Sequence, residues 1–257
     1  MTDQLDNSFM RLKNPIIACL LLICLLCISS CRKASTSRTR HERQTDYVQS
    51  QQKTETIRTS RKHGIINKRS SKKLEGHEVF EKYSTAVFMV FTSDGMKGYQ
   101  GSGFFIDNQG LAVSNYHVFK GTGIGMEKIK LLGSDVVHNV TEIIAKDEEE
   151  DYILFRVDCD NTNYLPIASS KPQIGEKVYA IGSPRGLENT FSSGEVSQWR
   201  AKNLIQINAL IDHGSSGGAL INEYGEAVGI TSGSFYDGSQ ANLNYAWSID
   251  VIKPYLK

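Results

Sequence analysis

Ser216 sits in the run Gly214-Ser215-Ser216-Gly217-Gly218, where a hydroxyl would stand on a tight turn clear of bulky neighbours. A nucleophilic serine needs that exposure, and it needs backbone N–H groups aimed at the oxyanion that forms during acyl transfer. Glycines on both sides supply the backbone freedom for both. Glycine-serine runs are also ordinary turns, so the chemistry rests on whether a base and an acid can be found to serve this hydroxyl.

The chain order of the partners narrows the choice. The run satisfies G-x-S-x-G, the strand-to-helix elbow of α/β-hydrolases, but there the acid and the histidine follow the serine. Here all six histidines (41, 63, 77, 117, 138 and 213) precede Ser216, which removes that reading. His41 and His63 lie in a polar stretch, and His77 opens a helical pattern. His138 falls in or beside a strand, and His213 abuts the turn itself. His117 follows Leu111-Ala112-Val113-Ser114, where a strand ends and a turn begins, and so suits a rigidly held base. Between His117 and Ser216, the acidic run 147–151 reads as a solvated loop at four of its five positions. Asp151 differs because Tyr152-Ile153-Leu154-Phe155 follows at once and draws it inward. A buried carboxylate there would orient the His117 ring and stabilise its imidazolium. The run lacks the Gly and closing Glu of a calcium-binding loop. No metal is expected at this run. Asn139-Val140-Thr141 matches a glycosylation acceptor, a triplet frequent by chance.

The elements that must position these residues read as strands. Short segments rich in Val, Ile, Phe and Tyr fall at 86–92, 101–106, 111–114, 128–132, 140–145 and 152–157. They recur at 177–181, 194–198, 204–207, 219–221, 227–231 and 243–248, with Gly, Asp, Asn and Ser between them. A short helix over 75–83 precedes them and another is predicted over 249–256. This is an all-β pattern, a sandwich or barrels, and spacing alone leaves that choice open.

Charge divides the chain. Residues 32–73 hold 13 Lys or Arg against three acids, whereas residues 74–257 hold 14 against 23. The basic stretch is too polar to bury a core and reads as a solvated tether, spanning about 35 Å as a flexible coil. Attraction to anionic headgroups is the sharper alternative. Without interleaved aromatics it gives no support for nucleic-acid binding. Ahead of it, Arg11 and Lys13 precede an apolar run over 15–28 that is short for a bilayer crossing. Ile28-Ser29-Ser30-Cys31 then resembles the bacterial lipoprotein box, in which the Cys is lipidated and becomes the first residue. The expected division is a signal peptide over 1–30, a tether over 31–73 and a folded domain over 74–257. Expected partners are therefore polypeptide substrates and a membrane, reached through a lipid on Cys31 and the basic tether, in a bacterial envelope. Cys159 is the lone cysteine of the folded part, so no disulfide framework is expected there and a small core residue is.

Gly101-Ser102-Gly103-Phe104-Phe105-Ile106 and Ser114-Asn115-Tyr116-His117-Val118 resemble the His region of bacterial trypsin-like serine proteases of the HtrA/Deg kind. The run from Lys146 to Leu154 resembles their Asp region. Ala180-Ile181-Gly182-Ser183-Pro184-Arg185-Gly186-Leu187, Ser193-Gly194-Glu195-Val196-Ser197, Ile205-Gln206-Ile207-Asn208-Ala209 and Gly225-Glu226-Ala227-Val228-Gly229-Ile230 continue the likeness across residues 78–252. The resemblance implies two six-stranded antiparallel β-barrels of the chymotrypsin type. It also implies cofactor-free peptide hydrolysis by His117, Asp151 and Ser216, with an oxyanion hole from the N–H groups of Gly214 and Ser216. It places Leu210 and Ile211 at the base of the primary specificity pocket, implying apolar or small side chains there. Ser232 would support Asp151, and Ser232, Gly233 and Ser234 would pair with extended substrate. Ser215 stands where digestive relatives carry Asp, so activation by an ion pair with a new N-terminus is not expected. No peptide-binding PDZ domain is expected after the last strand. A catalytically silent peptide-binding module is the alternative function.

Overall fold

The computed structural model describes residues 72–123, 125–234 and 243–256. The expected signal peptide, Cys31 and nearly all of the tether lie outside the described residues. A first helix, α1 (Gly76–Tyr83), opens on a reciprocal cap in which the Glu75 N–H donates to the Glu78 carboxylate at 2.8 Å. It buries Val79 and Tyr83, one helical turn apart.

Among the described residues, thirteen strands then form two antiparallel sheets. The first holds β1 (Val87–Ser93), β2 (Gly98–Phe105), β3 (Leu111–Ser114), β4 (Lys128–Leu131), β5 (Val137–His138), β6 (Val140–Asp147) and β7 (Tyr152–Val157), in the order β5-β4-β1-β2-β3-β7-β6. The second holds β8 (Lys177–Gly182), β9 (Thr190–Trp199), β10 (Leu204–Ile207), β11 (Ala219–Asn222), β12 (Ala227–Ser234) and β13 (Asn244–Ser248), closed as β10-β13-β12-β11-β8-β9. The expected pair of six-stranded barrels is thus one closed barrel and one seven-stranded half-barrel. Its extra member is the two-residue β5, which pairs only with β4. The expected C-terminal helix is the tighter 3-10 form over Ile249–Tyr255, with Pro254 inside it. Proline lacks the N–H that an α-helical turn would use.

The strands read as unbroken apolar runs because both of their faces are buried. Phe88, Phe105, Ala112, Ile153 and Phe155 fill the inside of the first sheet. Their chain neighbours Val87, Phe104, Val113, Tyr152 and Leu154 point the other way, into a cluster shared with Tyr179, Ile181, Ala219 and Ile221. In the closed barrel, Val178, Ala180 and Leu220 alternate with these last residues and fill the interior. Successive side chains in a strand face opposite sides, so one run feeds two cores. The shared cluster joins the two sheets, and burying each large side chain in it contributes about 1.5–3 kcal/mol. The connection between the sheets is sewn down as it passes: the Leu165 N–H donates to Phe105 O at 2.9 Å and Ala227 N–H to Pro166 O at 2.8 Å. Ends of both sheets therefore meet at one fixed seam.

Candidate active site

At that seam the structure brings together His117, Asp151 and the loop that carries Ser216. β3 ends at Ser114 and turns into a single helical turn, α2 (Tyr116–Phe119), so His117 leaves a rigid strand end. Val118 and Phe119 anchor the turn in the first core and leave the imidazole about half exposed. Its Nδ1 lies 2.8 Å from Asp151 Oδ2 and 3.1 Å from Oδ1. The His117 backbone N–H donates to Asp151 Oδ1 at 2.9 Å, which fixes the carboxylate from a second direction.

Asp151 sits in the turn between β6 and β7, with its side chain mostly buried, as its apolar follower residues suggested. It also adopts φ +44°, a left-handed conformation that sequence patterning did not anticipate. Two neighbours hold it there. Asn115, fully buried, donates from Nδ2 to Asp151 O at 2.8 Å. Ser232 Oγ donates to Asp151 Oδ2 at 2.8 Å, from β12 of the other sheet. The carboxylate thus accepts from two groups of His117 and from Ser232, leaving little freedom to turn.

The Ser216 hydroxyl lies 3.5 Å from the carbonyl oxygen of the same Ser232, so Ser232 touches both Asp151 and Ser216. The loop around Ser216 is set by its carbonyls. In a trans peptide the C=O and the next N–H point in opposite directions, so holding one aims the other. His213 O accepts from Arg185 N at 2.8 Å, and Ser215 O accepts from Thr231 Oγ1 at 2.7 Å and Gly218 N at 2.9 Å. The N–H groups that follow are those of Gly214 and Ser216, and among the described residues neither has a hydrogen-bond partner. Ser216 O is itself fixed by Ser102 N at 2.8 Å. Gly214 and Gly217 have φ of +96° and +88°. A Cβ on Gly217 would run into Ser102 O and Ser114 Oγ, which is why glycine follows the serine.

Leu210 and Ile211 line an apolar cleft of about 530 Å³ together with Pro184, Leu187 and Phe191. Ser215 and Thr231 border it, whereas Ser232 and Gly233 are not among its lining residues. Leu210 is largely exposed and its carbonyl accepts from Ser192 Oγ at 2.7 Å. Ser234 ends β12 and pairs with Asn244. At the cleft rim, Arg185 Nε meets Asp212 Oδ2 at 2.7 Å. The His213 N–H, and then this guanidinium, hold the Asp212 carboxyl below its ordinary range. His138 faces a different acid, Asp158, at 3.4 Å on the β4–β5 side of the half-barrel.

The architecture, the His–Asp contact and the serine turn coincide with a family pattern that matches residues 101–230, described as a trypsin-like peptidase domain. The chain belongs to that family. Its likeness to HtrA-type proteases is carried by its relatives. It is 32% identical over 178 residues to Protease Do-like 1, chloroplastic, of Arabidopsis thaliana, covering 63% of this chain and 39% of that one. It is 34% identical over 160 residues to a probable periplasmic serine endoprotease DegP-like of Halomonas elongata, covering 59% and 33%. Among solved structures, a serine endoprotease from Yersinia pestis superposes with a TM-score of 0.63 at 25% identity, over 72% of this chain and 66% of that one. This trypsin-like domain therefore spans less than half the length of the two curated relatives.

Four residues of the domain's site escaped reading of the residues alone. Asn115, Thr231, Ser102 and the Arg185 backbone hold carbonyls of Asp151 and of the loop that carries Ser216. The first three did leave a faint signal, a polar residue inside an otherwise buried run.

Proposed function

We propose that the domain is a serine endopeptidase that cleaves polypeptides through an acyl-enzyme, with His117 as base, Ser216 as nucleophile and Asp151 as the group that orients the imidazole. His117 Nε2 takes the Ser216 proton as the hydroxyl attacks the scissile carbonyl. The resulting oxyanion is received by the N–H groups of Gly214 and Ser216. His117 then passes its proton to the leaving amine, and water repeats the sequence on the acyl-enzyme. Asp151, remaining ionised, favours the tautomer with the proton on Nδ1 and stabilises the imidazolium. The observation that carries this reading is the fixed His117–Asp151 pair beside a serine flanked by two unpartnered N–H groups.

Extended substrate would pair with Ser232, Gly233 and Ser234. The apolar character of Leu210 and Ile211 favours apolar or small side chains before the cut bond. Substrates would be unfolded or envelope proteins. The segment ahead of the domain would deliver it there, with removal of residues 1–30, lipidation of Cys31 and residues 31–73 as spacer. Labelling with a fluorophosphonate probe tests the chemistry. The protein should react stoichiometrically and its Ser216→Ala variant should not react at all. A labelled Ala variant, or a folded wild-type protein that binds peptide without reacting, would overturn the assignment.

A further inference from the structure

Two residues of β2 reach across the seam, Ser102 to the loop that carries the proposed oxyanion donors and Gln100 to the turn beside it. Gln100 and Ser102 are two apart and so lie on one face of the strand. Ser102 is fully buried, yet its hydroxyl has no substrate to serve, since it is committed in two directions. It donates to Gly214 O at 2.7 Å and accepts from Ser183 N at 2.9 Å. Gln100 donates from Nε2 to Ser183 O at 2.8 Å and accepts from Gly186 N at 3.0 Å through Oε1. Both sides of residue 183 are therefore held by β2, and the Gln100 amide brackets the turn Pro184-Arg185-Gly186.

That turn matters because Arg185 is left-handed, at φ +52°, a conformation a side-chain-bearing residue does not keep unaided. Its N–H is the group that holds His213 O, and holding His213 O aims the N–H of Gly214. A continuous path thus runs from Gln100 and Ser102, through Ser183 and Arg185, to one proposed oxyanion donor. A second branch runs from Ser102 Oγ to Gly214 O.

We propose that Gln100 and Ser102 are positioning residues forming a cross-sheet clamp that keeps the oxyanion hole in its receptive arrangement. The catalytic part of this proposal rests on the endopeptidase reading. The clamp's effect on loop order does not. Removing either residue frees the Arg185 turn to leave its strained conformation and lets the His213–Gly214 peptide rotate. Ground-state binding of substrate through Ser232 to Ser234 would be untouched.

The test uses the full chain with Gln100→Met, which keeps length but loses the bonds to Ser183 and Gly186, and with Ser102→Ala. Ser102→Thr retains the hydroxyl and serves as the rescue. Ile129→Val, a change in the first core far from the loop, reports mere destabilisation. On a peptide substrate, kcat should fall about 10- to 100-fold in Gln100→Met and Ser102→Ala, less than the about 100- to 1000-fold of removing an oxyanion donor outright, because the donor is loosened and not lost. KM should move less than about threefold, because only transition-state binding is lost. Affinity for a tetrahedral boronate should fall in step with kcat, and Ser102→Thr should recover most of both. Hydrogen exchange over residues 209–218 should speed up in the two clamp variants and not in Ile129→Val. Unchanged exchange with kcat within about threefold of wild type would overturn the clamp. If the wild-type protein fails to react with fluorophosphonate, the endopeptidase reading falls, and the exchange comparison still decides whether the clamp orders the loop.

Discussion

Replacing Asn115 by Leu should separate catalysis from stability, because its two polar atoms act in opposite directions. Nδ2 donates to Asp151 O at 2.8 Å, a bond whose loss costs about 0.5–1.5 kcal/mol. Oδ1 is buried with no partner among the described residues, and such an orphan costs about 1–3 kcal/mol while it stays. Leu has nearly the same branched shape, so it removes both terms and opens little cavity. The sum is close to zero or slightly stabilising, and the melting temperature should shift by no more than about 4 °C. Catalysis has no such compensation. Asp151 at φ +44° carries left-handed strain of about 1–2 kcal/mol, which the Asn115 bond opposes. Once that bond is gone, the relaxed backbone gains by the bond's about 0.5–1.5 kcal/mol, a factor of about 2–13 in population. The relaxed form no longer presents its carboxylate squarely to His117. Steady-state cleavage of a fluorogenic peptide, run beside a thermal melt, should show kcat down about 2- to 13-fold with the melting temperature moved by no more than about 4 °C. Activity within about twofold of wild type at equal stability would refute the role of Asn115, as would a loss that merely follows a large drop in melting temperature.

Burial first, and then the carboxylates of Asp158, Asp160 and Asp107, push the Cys159 thiol up to about 11. A raised value means less thiolate at a given pH, roughly one in a thousand at pH 8, so alkylation should run about 100-fold slower in the native protein than in urea. Equal rates by peptide mapping would show that the site is open and its thiol ordinary. At the other end of the chain, Cys31→Ser should abolish incorporation of labelled palmitate and release the protein from membranes. A variant that stays bound would transfer the attachment to the apolar run or the basic stretch.

The parts of the site that patterning exposed are those whose chemistry is visible in a short window. Ser216 stood out through its glycines, His117 through a strand end, and Asp151 through the apolar residues after it. The fold was legible to the level of an all-β chain and no further from periodicity. A run that feeds two cores loses the alternation that marks a sheet with one wet face, as Val87-Phe88 and Phe104-Phe105 illustrate. Choosing barrels over a sandwich required the resemblance to HtrA-type proteases. Even then the seventh strand was legible only as a strand or its approach around His138, because a two-residue β5 has no period to read.

The positioning residues were hidden for a different reason. Ser102 and Gly214 are 112 residues apart, and Gln100 and Ser183 are 83 apart, so no local window contains the bond that explains either side chain. One inference was nevertheless available from the residues. If a strand is buried on both faces, every polar side chain inside it must find a partner, because an unpartnered one costs more than the strand can spare. Ser102, Ser114, Asn115 and Thr231 all meet that condition. Each of them proves to hold a backbone carbonyl in or beside the cluster of His117, Asp151 and Ser216. Polar residues within doubly buried runs thus flag the supporting network, although the identity of their partners requires the folded chain.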